Sequence, residues 1–260
     1  MNFQFYKYQG TGNDFIIIDN RDLKFDRSNT TAVKHLCDRH FGIGADGLML
    51  LQNKTGYDFE MVYYNSDGNE SSMCGNGGRC IIEFARSLGI VKDKAFFIAT
   101  DGEHEAIVKP GYISLKMNDV TSIECNTDHF FLNTGSPHYV AFVNDIAAYN
   151  VFAKGKEIRN NERFKAKGTN VNFIEKQDES LFVRTYERGV EDETFSCGTG
   201  VTAAAIVASI ENVSTTQNYC NIRTLGGNLK VNFKRMPDNT FTDIWLEGPA
   251  TFVFKGEVSV

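Results

Sequence analysis

The chain has 260 residues, 42% hydrophobic and 23% charged, with a formal net charge of −6. An acidic balance without a Lys/Arg run argues against nucleic acid or an anionic membrane surface as a partner. No apolar stretch approaches the roughly 20 residues that cross a bilayer. The first residues alternate polar and aromatic side chains and lack the basic start and apolar stretch of a leader, so the expected location is the cytoplasm. Six cysteines in a chain of this length are too few for a disulfide scaffold, and they are expected to stay reduced.

In chain order, Asn2–Tyr8 alternates like a strand and runs into Gly10-Thr11-Gly12-Asn13-Asp14, after which Phe15–Asp19 reads as a buried strand. Thr31–Phe41 looks helical, capped by Thr30 or Thr31. Leu48–Leu51 and Phe59–Tyr64 read as strands, and Asn65-Ser66-Asp67-Gly68 as a turn. Cys80, Ile81, Phe84, Ala85 and Leu88 fall at helical spacing, and Gly89 is suited to end that helix in the left-handed region. Phe96–Ala99, Glu105–Lys109 and Ile113–Asn118 are short strand candidates. In the second half the expected strands are Phe130–Leu132, Tyr139–Val143, Val171–Glu175, Leu181–Tyr186, Asn221–Thr224, Leu229–Phe233 and Ile244–Leu246. The helix Thr199–Ile210 is apolar on nearly every side, so sheet is expected to wrap it.

Two glycine-rich stretches organise the chain: Met73-Cys74-Gly75-Asn76-Gly77-Gly78-Arg79 and Ser196-Cys197-Gly198-Thr199-Gly200. Their cysteines lie 123 residues apart, as do Thr11-Gly12-Asn13 and Thr134-Gly135-Ser136. Thr100-Asp101-Gly102 and Thr224-Leu225-Gly226 follow at a spacing of 124. Landmarks in one order at nearly one spacing indicate two similar halves. The expected domains are 1–118, with 250–260 returning to it, and 119–249.

Each cysteine opens a helix, where unpaired backbone N–H groups and the positive dipole end favour a thiolate and can hold a substrate carboxylate. Two such ends facing each other suit proton abstraction beside a carboxyl group: one thiolate removes the proton and the other thiol returns one to the opposite face.

Other readings compete. Cys37, Cys80, Cys125 and Cys220 read as small buried hydrophobes. The cluster of His35, Cys37 and His40, and the pair Cys74 and Cys80, lack the spacing of structural zinc sites, so no metal is expected. Gly42-Ile43-Gly44-Ala45-Asp46-Gly47 fits a dinucleotide-binding pattern, but it follows a helix-like segment where that fingerprint demands a strand, so it reads as a tight turn.

Met73–Cys80 and Glu187-Arg188-Gly189…Cys197-Gly198-Thr199-Gly200 resemble the two signatures of the diaminopimelate epimerase family. Gly10–Phe15, Arg39–Gly47 and Gly135-Ser136-Pro137-His138 match as well, so the resemblance spans essentially the whole chain. It implies an α/β (α+β) fold of two pseudo-symmetric domains, each a curled sheet around a central helix. It also implies a cofactor-independent, PLP-independent homodimer that interconverts LL- and meso-2,6-diaminopimelate for lysine and peptidoglycan-precursor synthesis. Carried over by residue, Cys74 and Cys197 match the acid/base pair, supported by His138 and Glu187. Gly75, Asn76, Gly198 and Thr199 match helix-end contacts to the reacting centre. Asn13, Asn65, Asn170, Glu187 and Arg188 match the remaining substrate contacts. Arg188 offers a planar fork for a distal carboxylate, and Glu187 and the asparagines can read the amino groups.

Ser136 stands where the family often has asparagine, and Gly47 where some members have glutamine. Glu191-Asp192-Glu193 reads as a solvated surface run. His138 could instead be a turn histidine capping backbone, and Asn65 an Asx turn. Two further functions fit a two-thiol chain: a proline or hydroxyproline racemase, or a redox protein whose cysteines form a disulfide switch.

Overall fold

The computed structural model describes residues 2–109, 111–213 and 216–259. The chain divides into two compact units, Met1–Leu115 with Pro249–Val260, and Lys116–Gly248.

The first unit is built from β1 (Asn2–Gly10), β2 (Asn13–Asp19), α1 (Thr30–Cys37), β3 (Gly47–Gln52), β4 (Phe59–Asn65), β5 (Glu70–Ser71), α2 (Gly75–Ser87), β6 (Lys94–Ala99), β7 (Gly102–Lys109) and β8 (Tyr112–Lys116). β1 pairs antiparallel with β2, β2 parallel with β3, and β3 antiparallel with β4. β4 then takes β5 antiparallel and β6 parallel, and β6, β7 and β8 form a meander.

The second unit carries β9 (Ile123–Cys125), β10 (Phe130–Asn133), β11 (Pro137–Phe142), α3 (Val151–Arg159), β12 (Asn170–Gln177), β13 (Ser180–Glu187), β14 (Asp192–Thr194), α4 (Gly198–Ile210), β15 (Tyr219–Thr224), β16 (Gly227–Arg235) and β17 (Phe241–Gly248). From β10 to β17 each pairing repeats that of β1 to β8 in order and direction. The outer strand of the first unit is β18 (Thr251–Ser259), antiparallel to β1; in the second unit β9 takes the same place against β10.

α2 packs against β1, β2, β3, β7 and β18, and α4 against β10–β13 and β15–β17, so each is the central helix of its own unit. All of α4 from Gly200 to Ser209 is buried, as its sequence without a polar face requires. α2 buries Cys80, Ile81, Ile82, Phe84 and Ala85 in the same way, and Gly89 follows it at φ +72°. A separate cluster of Ile16, Ile18, Val33, Leu36, Leu48, Leu50 and Val62 fastens α1 to the other side of the first unit's strands.

Several boundaries differ from the sequence reading. α1 is capped by Asn29, whose side chain accepts from Ala32 N at 3.0 Å, and it stops at Cys37 rather than Phe41. Asp38 ends it by accepting from the backbone of His40 and Phe41 at 2.7 and 2.8 Å. α3 went unread because Gly155 interrupts a weak apolar stripe; a Cβ there would lie 2.3 Å from Cβ of Tyr186, so the glycine lets the helix sit against β13. The acidic run 191–193 is solvated at Glu191 and Asp192, but not at Glu193. Glu193 forms a bidentate pair with Arg184 at 2.6 and 2.7 Å, and Glu191 meets Arg159 at 3.3 Å. Among the described residues, no helix is long and apolar enough to cross a membrane.

Candidate active site

In each unit, one cysteine is the residue that caps the central helix. Cys74 caps α2 with φ −94° and ψ 131°, and Cys197 caps α4 with φ −118° and ψ 114°. Their carbonyls accept the first helical bonds, from Gly78 N at 2.7 Å and Val201 N at 2.9 Å. Each thiol thus sits at the positive end of a helix thirteen residues long. Cys74 is half-buried and Cys197 buried.

Around Cys74, the Sγ–H donates to Asn13 Oδ1 at 3.7 Å, and Asn76 Nδ2 donates to the same oxygen at 3.3 Å. Asn13 is turned that way because its own amide nitrogen donates to Asp46 Oδ2 at 2.5 Å. Asp46 is held in turn by Arg39 at 2.7 Å, and Arg39 also binds Asp14 at 2.8 Å. Lys7 completes the cluster through Asp14 at 2.7 Å and the Gly44 carbonyl. Burial pushes the Asp14 carboxyl up, but the bonds from Arg39 and Lys7 outweigh it and hold the group at about 2. The Gly42–Gly47 turn is therefore a bracket for Asn13.

Gly47 has no room for a side chain: a Cβ would lie 2.6 Å from both the Tyr63 ring and the Tyr64 carbonyl. Asn65 ends β4 with an exposed side chain, and its carbonyl accepts from Gly68 N at 2.9 Å. Asp67 makes the Asx turn instead, accepting from Asn69 N at 2.9 Å.

The second unit builds a different floor. His138 lies on β11 with no exposed surface, so it is not a turn histidine. Asn172 Nδ2 donates to the Tyr139 carbonyl at 2.9 Å, and Thr185 Oγ1 donates to Asn172 Oδ1 at 2.9 Å, which fixes the amide orientation. The same Nδ2 therefore donates to His138 Nδ1 at 3.1 Å, leaving the imidazole proton on Nε2, which donates to Thr199 Oγ1 at 2.9 Å. That hydroxyl lies 3.6 Å from Cys197 Sγ. Thr134 Oγ1 secures the Thr199 carbonyl at 2.8 Å.

Burial, reinforced by the charge of Arg188, lowers His138 to about 3, so it is neutral at working pH. An unfolded histidine titrates near 6.5, so the unfolded chain binds a proton that the folded chain refuses. Stability is accordingly expected to fall as pH drops below about 6.5, with this one group contributing about 1.4 kcal/mol per pH unit. Chemical denaturation of wild type and His138→Gln between pH 4.5 and 7 checks this; equal slopes would contradict it.

Asn170, Ser136 and Arg188 converge. Asn170 Nδ2 donates to Ser136 Oγ at 2.9 Å, and its Oδ1 accepts from Arg188 N at 2.9 Å. The exposed Arg188 guanidinium donates to Ser136 Oγ at 3.3 Å and to the Lys167 carbonyl at 3.1 Å. Ser136 thus belongs to the Arg188 pair despite its short side chain. Glu187, just before Arg188, accepts from Thr194 Oγ1 at 3.0 Å.

Asn172, Thr185, Thr134, Arg39 and Asp46 had no assigned role in the sequence reading. One signal was present: Asn170 and Asn172 are two apart in a strand and share a face, interleaved with the apolar Val171 and Phe173. The registers also match His138, Asn172 and Thr185 with Phe15, Met49 and Tyr63 of the first unit. Where the second unit places a histidine, an asparagine and a threonine, the first thus places two apolar side chains and a tyrosine. Among the described residues, no three His, Cys, Asp or Glu side chains converge to hold a metal ion.

The chain is thus two topologically equivalent units, each with a cysteine capping its central helix. The chain superposes over its whole length on a phenazine biosynthesis protein of the PhzF family from Bacillus anthracis, covering 100% of both chains with TM-score 0.75 at 15% identity. It also superposes on a hydroxyproline epimerase from Agrobacterium vitis, covering 100% of this chain and 93% of the other with TM-score 0.68 at 12% identity. The sequence profile of diaminopimelate epimerase matches residues 5–112 and 130–253. A diaminopimelate epimerase from Flavobacterium psychrophilum is 51% identical over 252 residues, covering 96% of this chain and 98% of that relative. The chain belongs to the diaminopimelate epimerase family.

Proposed function

We propose that the protein interconverts LL- and meso-2,6-diaminopimelate without a cofactor, with Cys74 and Cys197 as the acid/base pair. The observation that carries this reading is the equivalent setting of the two thiols, each the cap of the central helix of an equivalent unit. The family membership supports the substrate. A carboxylate beside the reacting carbon is to be held by the N–H groups of the first helical turns at Gly75-Asn76 and Gly198-Thr199. One thiolate takes the α-proton, the carboxylate gains enolate character against those N–H groups, and the opposite thiol delivers a proton to the other face.

Asn13, Asn65, Asn170 and Glu187 are to bind the amino groups, and the Arg188 fork the distal carboxylate. The neutral His138 is kept from acting as a base on Cys197 because its Nε2 proton already engages Thr199; its role is to hold that threonine beside the sulfur. A cytoplasmic homodimer serving lysine and peptidoglycan-precursor synthesis completes the proposal. β18 supports the dimer with Phe252, Val253 and Phe254 exposed on a strand paired to β1.

Incubation with LL-diaminopimelate in D₂O tests the reading. Inversion with deuterium at one α-carbon is expected. Turnover of proline or hydroxyproline alone would replace the substrate, and no exchange with any amino acid would favour a redox role.

A further inference from the structure

Arg79 occupies the first turns of α2 with none of its surface exposed. Its guanidinium donates to the Gly75 carbonyl at 3.1 Å, Asn76 Oδ1 at 3.0 Å, Thr11 Oγ1 at 3.1 Å and the Pro249 carbonyl at 3.3 Å. All four partners are neutral. Among the described residues, no carboxylate lies within ion-pair distance of it. An unpaired buried charge is among the most costly features a fold can carry, and a guanidinium does not escape by losing its proton.

Two thiols stand beside Arg79: Cys80, the next residue of the helix, and Cys74, the cap of the same helix, whose sulfur shares Asn13 Oδ1 with the Asn76 that Arg79 binds. Burial pushes Cys80 far above working pH, so it stays a neutral thiol. Cys74 remains. We propose that Arg79 is the counter-charge of a Cys74 thiolate, so that the resting protein carries its negative charge on Cys74 and its catalytic proton on Cys197.

The second unit supplies an internal contrast. The place of Arg79, five residues after the capping cysteine, is taken there by Thr202. Its hydroxyl donates to the Gly198 carbonyl at 3.0 Å, the bond that Arg79 makes to the Gly75 carbonyl. The fold keeps the hydrogen bond in both units and the charge in one. Both helices present the same dipole, and Arg79 adds to the first a full charge that Thr202 does not supply in the second.

Other groups act on these sulfurs. Asn13 Oδ1 favours the Cys74 thiol, but it is a neutral amide at 3.7 Å set against a full charge in a dry interior. Asp46 stands behind Asn13, and Asp101 accepts from Met73 N at 3.0 Å; both carboxylates are more than a third exposed and screened by water. Cys197 faces Thr199 and, behind it, the neutral His138; Glu187 ends the strand β13 packed on the same helix, and Arg188 follows it. Arg79 also acts through Asn76: by binding its Oδ1, it turns the amide nitrogen toward Asn13.

The assignment rests on the two-thiol reading, and its test needs no turnover. The full reduced chain is treated with iodoacetamide across pH 5–10, and carboxamidomethylation of Cys74 and Cys197 is followed separately by peptide mass spectrometry. The midpoint for Cys74 is expected at least one pH unit below that for Cys197. Arg79→Gln is expected to raise the Cys74 midpoint by a unit or more and leave Cys197 in place, and Arg79→Lys to restore most of the shift, which a merely structural role would not do. Equal midpoints, a lower midpoint for Cys197, or an unmoved Cys74 in a folded Arg79→Gln protein would overturn the proposal. If Arg79→Gln does not fold, the wild-type comparison decides alone. The expected midpoints in a protein that leaves diaminopimelate unchanged would keep the charge assignment and remove the substrate.

Discussion

Replacing either Cys74 or Cys197 with alanine is expected to lower kcat for LL-diaminopimelate by a factor of about 10³ or more while leaving the fold intact. A positioned general acid or base contributes roughly 10²- to 10⁴-fold, and a two-base inversion that loses one partner cannot complete the proton's path. The stability cost is small, because neither capping cysteine bonds its helix through its side chain. Both effects are read from initial rates and thermal melts of the two variants. A single variant that keeps more than a tenth of wild-type turnover would show that one thiol suffices.

Gly200→Ala is expected to be the most damaging substitution that removes no functional group. A Cβ at Gly200 would lie 2.4 Å from Asn172 Oδ1 and 3.3 Å from Cys197 Sγ. Asn172 cannot step aside without breaking its bonds to Thr185, Tyr139 and His138. Overpacking of this kind costs about 1–3 kcal/mol, and the displaced amide releases His138, so turnover should fall at least tenfold as well. Gly77 is the matched control. It holds the same place in the first unit, where a Cβ would meet Met49 Sδ at 3.3 Å and the Phe15 ring at 3.5 Å. A thioether yields more easily than a triply bonded amide, so Gly77→Ala should be the milder change. Denaturation midpoints and rates for the pair check this, and equal losses would count against a rigid Asn172.

Much of the site was legible because its chemistry is local. A cysteine, a glycine-rich turn and an apolar helix are contiguous, and the spacing of 123 residues exposed the duplication before any contact was known. The α4 helix had no alternative to full burial. What the sequence hid depends on pairing across strands. Asn172 gains its role from Thr185, thirteen positions away and opposite it in β13. Asp46 matters because the Gly42–Gly47 turn returns it to Asn13. Arg79 was quoted in the motif, but its burial depends on Thr11 and on Pro249 at the far end of the chain. Glu193 looked solvated because its partner Arg184 lies across a strand pair. The α3 helix was obscured by Gly155, whose reason is the Tyr186 side chain packed against it.

The most direct test of the central claim is a crystal structure of the reduced protein closed on a substrate-like diaminopimelate inhibitor. The expected result is one α-carbon with the sulfur of Cys74 on one face and that of Cys197 on the other, each within the roughly 3.5 Å at which a proton can pass. A ligand bound with both sulfurs on one face, or with either sulfur out of reach of that carbon, would contradict it.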